Sequence, residues 1–183
     1  MECSLTRRII GFCLVLGCLG PASPAVAARA CRFPDDVGPR SSPQGAPRQT
    51  RFLADVRAGA HRCFDRVTFE FRPPAPGGVG YSLRYEAEPL REDGSGRPVD
   101  AEGRAFIVVR LTPARDVEFS GGRAEPTYRG PEAISPRGGT RIVEARHISS
   151  FEGTVKWAVG VDRRRPFRVV TLADPLRVVV DVG

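Results

Sequence analysis

The feature that most constrains this chain is a two-residue period that recurs along its length. Val67, Phe69 and Phe71 point one way, while Arg66, Thr68, Glu70 and Arg72 point the other. Successive strand side chains leave opposite faces, so such alternation describes a half-buried antiparallel strand. Tyr81, Leu83 and Tyr85 alternate with Ser82, Arg84 and Glu86. Val155, Trp157, Val159 and Val161 alternate with Thr154, Lys156, Ala158 and Gly160. Leu176, Val178, Val180 and Val182 form one face of a last strand. Ala105 to Leu111 and Phe167 to Leu172 are apolar on both faces, which predicts central positions in a sheet.

Turn chemistry separates these runs: Pro73-Pro74 to Gly78, Asp93-Gly94-Ser95-Gly96, Gly121-Gly122, Gly138-Gly139 and Asp174-Pro175. Helical periodicity is not evident in any segment. With runs at 52–58 and 142–149 added, about eight strands are expected, an all-β antiparallel sandwich or barrel. Thr112 to Thr140 reads as a long loop rich in Gly, Pro and charge.

Ahead of the strands, Arg7 and Arg8 lead into an apolar run from Ile9 to Leu19, followed by Pro21, Pro24 and Ala25-Val26-Ala27. A charged segment, a short apolar segment and a small-x-small site read as a secretory signal over residues 1–27. The run is well short of the roughly 20 residues a membrane-spanning helix needs. A mature chain of 28–183 is therefore expected outside the cytoplasm, without a transmembrane span. Two variants accompany this reading. Val15-Leu16-Gly17-Cys18 loosely resembles a lipobox that would acylate Cys18, although Leu16 stands where a small residue is favoured. Thr6-Arg7-Arg8 partly matches a twin-arginine signal, but an arginine pair equally suits an ordinary n-region, and that reading is preferred.

Export changes the cysteine arithmetic. Cys3, Cys13 and Cys18 leave with the signal, and Cys31 and Cys63 remain, a plausible disulfide in an oxidising compartment. Such a bridge would tie the N-terminal tail to the first hairpin and contribute about 3 kcal/mol in the chain-entropy picture. Residues 28–50 carry Pro34, Pro39, Pro43, Pro47 and Ser41-Ser42 without apolar periodicity, the signature of an extended, mobile linker. The folded domain is expected over 51–183.

The net charge of the chain is +7. Its cations are nearly all arginine, with Lys156 the one lysine, so codon bias accounts for most of them and no nucleic-acid role is implied. Anionic envelope polymers are the more natural partners of an exported basic protein.

From Val56-Arg57-Ala58-Gly59-Ala60-His61-Arg62-Cys63-Phe64-Asp65-Arg66-Val67-Thr68-Phe69-Glu70-Phe71 onward the chain resembles the AMIN-like domain of actinobacterial secreted proteins and lipoproteins. The match continues at Asp93-Gly94-Ser95-Gly96, Pro126-Thr127-Tyr128-Arg129-Gly130-Pro131, Phe151-Glu152-Gly153-Thr154-Val155-Lys156-Trp157, Arg165-Pro166-Phe167-Arg168-Val169 and Leu176 to Val182. Cys63 departs from the pattern, which carries glycine there. The resemblance implies a β-sandwich that targets the envelope and binds peptidoglycan. No amidase sequence accompanies the domain in these 183 residues, so function is expected in the domain itself or in a partner.

Chemistry-bearing residues are sparse. Arg163, Arg164 and Arg165 form the densest basic cluster, in a turn between two strands, and their forked guanidiniums suit carboxylates and phosphates. They are the expected contact patch for peptidoglycan or another anionic polymer, with a solvated turn in an arginine-rich chain as the equal alternative. Asp65 and Arg66 at a strand entry are a weaker binding candidate, and a turn ion pair is the preferred reading. His61 and His147 lack a third ligand at metal spacing. Ser135, Ser149 and Ser150 lack a nucleophile elbow. Trp157, Tyr81 and Tyr85 read as core. No catalytic residue, cofactor or metal is assigned. The expected protein is a monomeric, non-catalytic envelope-binding module. The alternatives are an accessory domain that binds an envelope protein by edge-strand addition, and an enzyme with an unrecognised site.

Overall fold

The computed structural model describes residues 31, 33–34, 36–42, 49–75 and 77–183. The expected signal over 1–27 and Cys18 lie outside these residues. All regular structure described is β. In chain order the strands are β1 (Arg40–Ser41), β2 (Arg51–Ala60), β3 (Asp65–Phe71), β4 (Gly80–Glu86), β5 (Ala105–Thr112), β6 (Ala114–Arg115), β7 (Val117–Ser120), β8 (Arg123–Pro126), β9 (Ala133–Ile134), β10 (Ile142–Phe151), β11 (Thr154–Val161), β12 (Phe167–Ala173) and β13 (Leu176–Val182). The first sheet runs β1-β4-β5-β11-β10-β9, and the second runs β12-β13-β3-β2-β6. Strands β7 and β8 form a separate hairpin. Neighbours pair antiparallel except β2 and β6.

The predicted alternation is what the sandwich buries. In β3 every second residue is inaccessible. Val67, Phe69, Phe71, Val178, Val180 and Val182 from the second sheet meet Leu83, Ile107, Val109, Leu111, Val155, Trp157, Val159 and Val161 from the first. Trp157 is fully buried at the centre, with Phe69, Tyr128 and His147 edge-on at 5.9, 5.6 and 5.2 Å between ring centroids. Burying each large apolar side chain contributes about 2 kcal/mol, so this layer dominates stability.

Strand β5 is central and buried on both faces, in line with its sequence. Its outward Phe106 and Val108 join Leu90, Ile148 and Ala158 in a second, smaller core. Residues 87–104 form a strap that closes this core from outside, with Val99 and Ala101 packed against it. Gly160 on β11 is the strap's seat. A Cβ there would stand 1.9 Å from the Glu102 carbonyl oxygen, and Gly103 (φ 152°) approaches the same backbone.

Three expectations need correction. Phe167 to Leu172 is not central: β12 is the edge of the second sheet, and Val170 and Leu172 are exposed. An apolar pattern reports that a strand tolerates burial, whereas pairing order is set by distant partners. Part of the expected linker is sheet rather than tail, since Arg40 pairs with Leu83 and Ser41 with Ser82. Ser42 then donates its backbone N–H to the Tyr81 carbonyl at 2.9 Å. The expected loop 112–140 also carries β6 to β9.

Cys31 and Cys63 are joined in a disulfide, with Cα atoms 5.2 Å apart. It holds Phe33 near Phe64, at 6.4 Å between ring centroids, beside the C-terminal end of β13.

Candidate functional site

Three strand ends meet where the first sheet opens toward the β11–β12 turn. Glu86 at the end of β4 lies opposite Phe106, and Ala105 at the start of β5 lies opposite Val161 at the end of β11. The turn Asp162-Arg163-Arg164 hangs over this corner. A cleft of about 720 Å³ results, lined by Tyr85, Glu86, Glu88, Arg104, Phe106 and Arg163 among others.

The basic triplet divides within it. Arg163 is exposed (68%) and donates one bond to Asp162 Oδ2 at 3.1 Å. Arg164 lays its guanidinium 4.7 Å over the Tyr85 ring, a cation–π contact that leaves its donors in the cleft. Arg165 is turned inward (15% exposed). It donates to both Asp162 oxygens at 2.5 and 2.9 Å and to the Gly183 carbonyl at 3.1 Å. The triplet is therefore not one patch: Arg165 ties the turn to the C-terminus. Arg104, which the sequence reading did not single out, takes its place in the cleft lining.

Acids in the cleft are largely spoken for. Burial pushes the Glu86 carboxyl up, but the guanidiniums of Arg110 and Arg84 hold it below its ordinary value. Arg110 reaches it at 2.6 Å and Arg84 at 2.7 Å. Asp162 is likewise lowered, first by the hydrogen bonds from Arg165. Tyr85 is raised by burial, and its hydroxyl both donates to the Arg165 carbonyl at 2.7 Å and accepts from the Arg165 N–H at 2.8 Å. What remains free to meet a ligand is mostly guanidinium.

Asp65 and Arg66 do not pair with each other. As strand neighbours they face opposite ways. Asp65 is buried, and its Oδ2 accepts the backbone N–H groups of Thr140, Arg141 and Ile142 at 2.9, 2.7 and 3.0 Å. Arg66 faces outward and forks onto Asp181 at 2.6 and 3.0 Å, while Arg168 reaches the same carboxylate at 3.0 Å. Asp181 is fully buried beneath the two arginines. Their guanidiniums also lie 5.0 and 5.2 Å over the Phe64 ring. Both residues of the pair therefore serve the fold.

A second opening flanks β10. Glu92, Asp93, Asp100, Glu132, Arg146 and Ser149 line about 400 Å³ beside the strap. At its base Lys156, 7% exposed, donates to Asp93 Oδ1 at 2.9 Å and to the Arg91 carbonyl at 3.0 Å. Beyond it, His147 Nε2 lies 3.3 Å from Asp116 Oδ2, off the hydrogen-bond direction, so this is a close polar contact rather than a bond. Burial pushes Asp116 up, yet the neighbouring His147 ring and Ser150 hydroxyl bring it below its ordinary value. Past Ser150 a third opening of about 410 Å³ lies between the β7–β8 hairpin and the β10–β11 turn. That turn is Glu152-Gly153, both with positive φ (47° and 75°), and Glu152 is the one non-glycine residue with positive φ among the described residues. Glycine, asparagine and aspartate favour this conformation; other residues pay roughly 1 kcal/mol or more.

His61 stacks on Phe64 at 4.6 Å. No three His, Cys, Asp or Glu side chains stand together as a metal site among the described residues. No described helix is long and apolar enough to cross a membrane.

The fold and its clefts define an all-β sandwich domain with shallow polar openings at its strand ends. The chain is a member of the AMIN-like family: the family model for the AMIN-like domain matches residues 51–183. Such domains are envelope-related and generally non-catalytic. No curated protein and no solved structure matches the chain.

Proposed function

We propose that this protein is an exported, non-catalytic module that holds an anionic envelope polymer in the cleft lined by Arg104, Arg163 and Arg164. The carboxylates of peptidoglycan stem peptides are the favoured ligand groups. One observation carries the reading: two of the cleft's three acids, Glu86 and Asp162, are already held by Arg84, Arg110 and Arg165, which leaves exposed Glu88 against Arg104, Arg163 and Arg164, the last laid on the Tyr85 ring. A preformed guanidinium cleft on rigid strand ends suits bidentate carboxylate or phosphate contacts. Residues 1–27 act as a cleaved export signal in this reading, with acylation at Cys18 as the alternative route to the membrane surface.

The test is sedimentation of the exported protein with purified cell walls across a salt series. Saturable binding that weakens with salt and falls at least tenfold in Arg163→Ser/Arg164→Ser is expected. Arg165 is left intact because it ties the turn. No sedimentation at low salt overturns the proposal.

A second reading has its own observation. Strand β12 is seven residues long, has no further strand beside it among the described residues and exposes Val170 and Leu172, whereas β1, β6 and β9 at the other sheet edges are two residues each. An uncovered edge is a template for strand addition by a protein partner. Capture of an envelope protein lost in Val170→Pro, with wall binding unchanged, would favour it.

A further inference from the structure

The groove past Ser150 has a lining that the arginine cleft lacks. Val117, Phe119 and Ala124 of the β7–β8 hairpin face Phe151, Glu152 and Gly153 of the β10–β11 turn, with Arg115, Asp116 and Ser150 completing it. Among the exposed large apolar residues, the two aromatics are Phe119 (68%) and Phe151 (43%), and both lie here. Exposed aromatic rings that share one groove mark a binding surface more than a packing defect.

Phe151 is held in place. A Cβ on Gly94 (φ 83°) would lie 2.8 Å from its Cε2, so the ring rests directly on the strap's backbone. The platform is set before any ligand arrives, which lowers the ordering cost of binding. Glu152 adds a carboxylate at the groove's rim in a turn position that glutamate fills unfavourably. Conformational cost accepted at a surface position is a pointer to use of the side chain.

The lining selects its occupant by charge and polarity. The openings that share Ser150 carry six carboxylates, Asp116 and Glu152 here and Glu92, Asp93, Asp100 and Glu132 beside it, against the guanidiniums of Arg115 and Arg146, a balance that disfavours an anionic polymer. A purely apolar partner would bury the rim carboxylate of Glu152 without supplying a donor, at a desolvation cost. A neutral ligand with an apolar face and a rim of hydroxyl donors satisfies both halves. Pyranose rings have that form: C–H faces stack on Phe119 and Phe151, and hydroxyls donate to carboxylates, which only accept. We propose that this groove binds a neutral oligosaccharide. The inference is independent of the arginine cleft.

Isothermal titration of the exported protein with chitotetraose, cellotetraose and maltotetraose tests it. Sub-millimolar binding of at least one of these tetramers is expected. Phe119→Ala should weaken it at least tenfold. That ring is mostly in solvent, so its loss leaves the fold in place. Glu152→Asn should also weaken it, although asparagine suits the turn better than glutamate. Arg163→Ser/Arg164→Ser should leave it unchanged. Absence of binding at millimolar sugar overturns the proposal. So does binding that Phe119→Ala and Glu152→Asn leave intact, or that the arginine variant abolishes instead.

Discussion

The outer faces of the two sheets solve the same problem differently. On the first sheet, outward Phe106, Val108 and Ala158 are apolar, and the strap closes over them as a second core. On the second, the outward row is charged: Arg66 and Arg168 enclose Asp181, and Arg57 bonds Asp55 and Glu70. Long-chain arginines can themselves shield a strand face, because their stems are apolar and their heads stay wet. A covered face gains hydrophobic stability and a wall beside which an opening forms, whereas a charged face stays flat and soluble. The openings beside the strap are lined by strap residues such as Glu92, Asp93 and Asp100.

If the covered face is a true core, Phe106→Ala should cost about 3 kcal/mol, read as a shift of the urea midpoint. Asp181→Ala on the bare face should cost less, about 2 kcal/mol, because Arg66 and Arg168 are a third or more exposed and can rehydrate once unpaired. Equal losses would mean that the two faces are energetically alike. Acid probes the ion pairs. Glu86, Asp116 and Asp162 are all held below their ordinary values, so the stability they add is fully present above about pH 4.5 and is lost as pH falls through their folded values. A thermal melt series from pH 6 to pH 2 should show a falling Tm. Tyr128, pushed up to about 12 by burial and then by Asp55, should stay largely protonated at pH 10, where an ordinary tyrosine is about half ionised. Smallest of all, Arg57→Ala should cost about 0.5 kcal/mol, vanishing in molar salt, since that pair is half in solvent.

The eight long strands were legible because alternation, or a run apolar on both faces, is a local signal once it extends over about seven residues. Strands β1, β6 and β9 were not, because two residues carry no period. Strand β12 misled for a different reason: Val170 and Leu172 look buried in sequence, and only the pairing order leaves them at an edge. The candidate site was half legible. A run of three arginines marks a turn, but which of them faces out depends on Asp162 and the carbonyl of Gly183, the latter 18 residues from Arg165. Arg66 was paired on paper with its neighbour, while its partner Asp181 lies 115 residues away. The aromatic groove was invisible because Phe119 and Phe151 are far apart in sequence and each resembles an ordinary strand residue.

Gly160 gives the strap a separate life. Because the Glu102 carbonyl sits where a side chain would be, residues 87–104 hold to the first sheet through close backbone contact, a small apolar patch and a few polar ties, from Lys156 to Asp93 and the Arg91 carbonyl and from the Glu102 N–H to Glu144. A unit so attached is able to lift without melting the sandwich. In hydrogen exchange the amides of the strap should therefore trade with deuterium well before those of β3 and β11. Gly160→Ala should widen that gap while leaving the slowest amides untouched, making the strap the first part of the molecule to breathe.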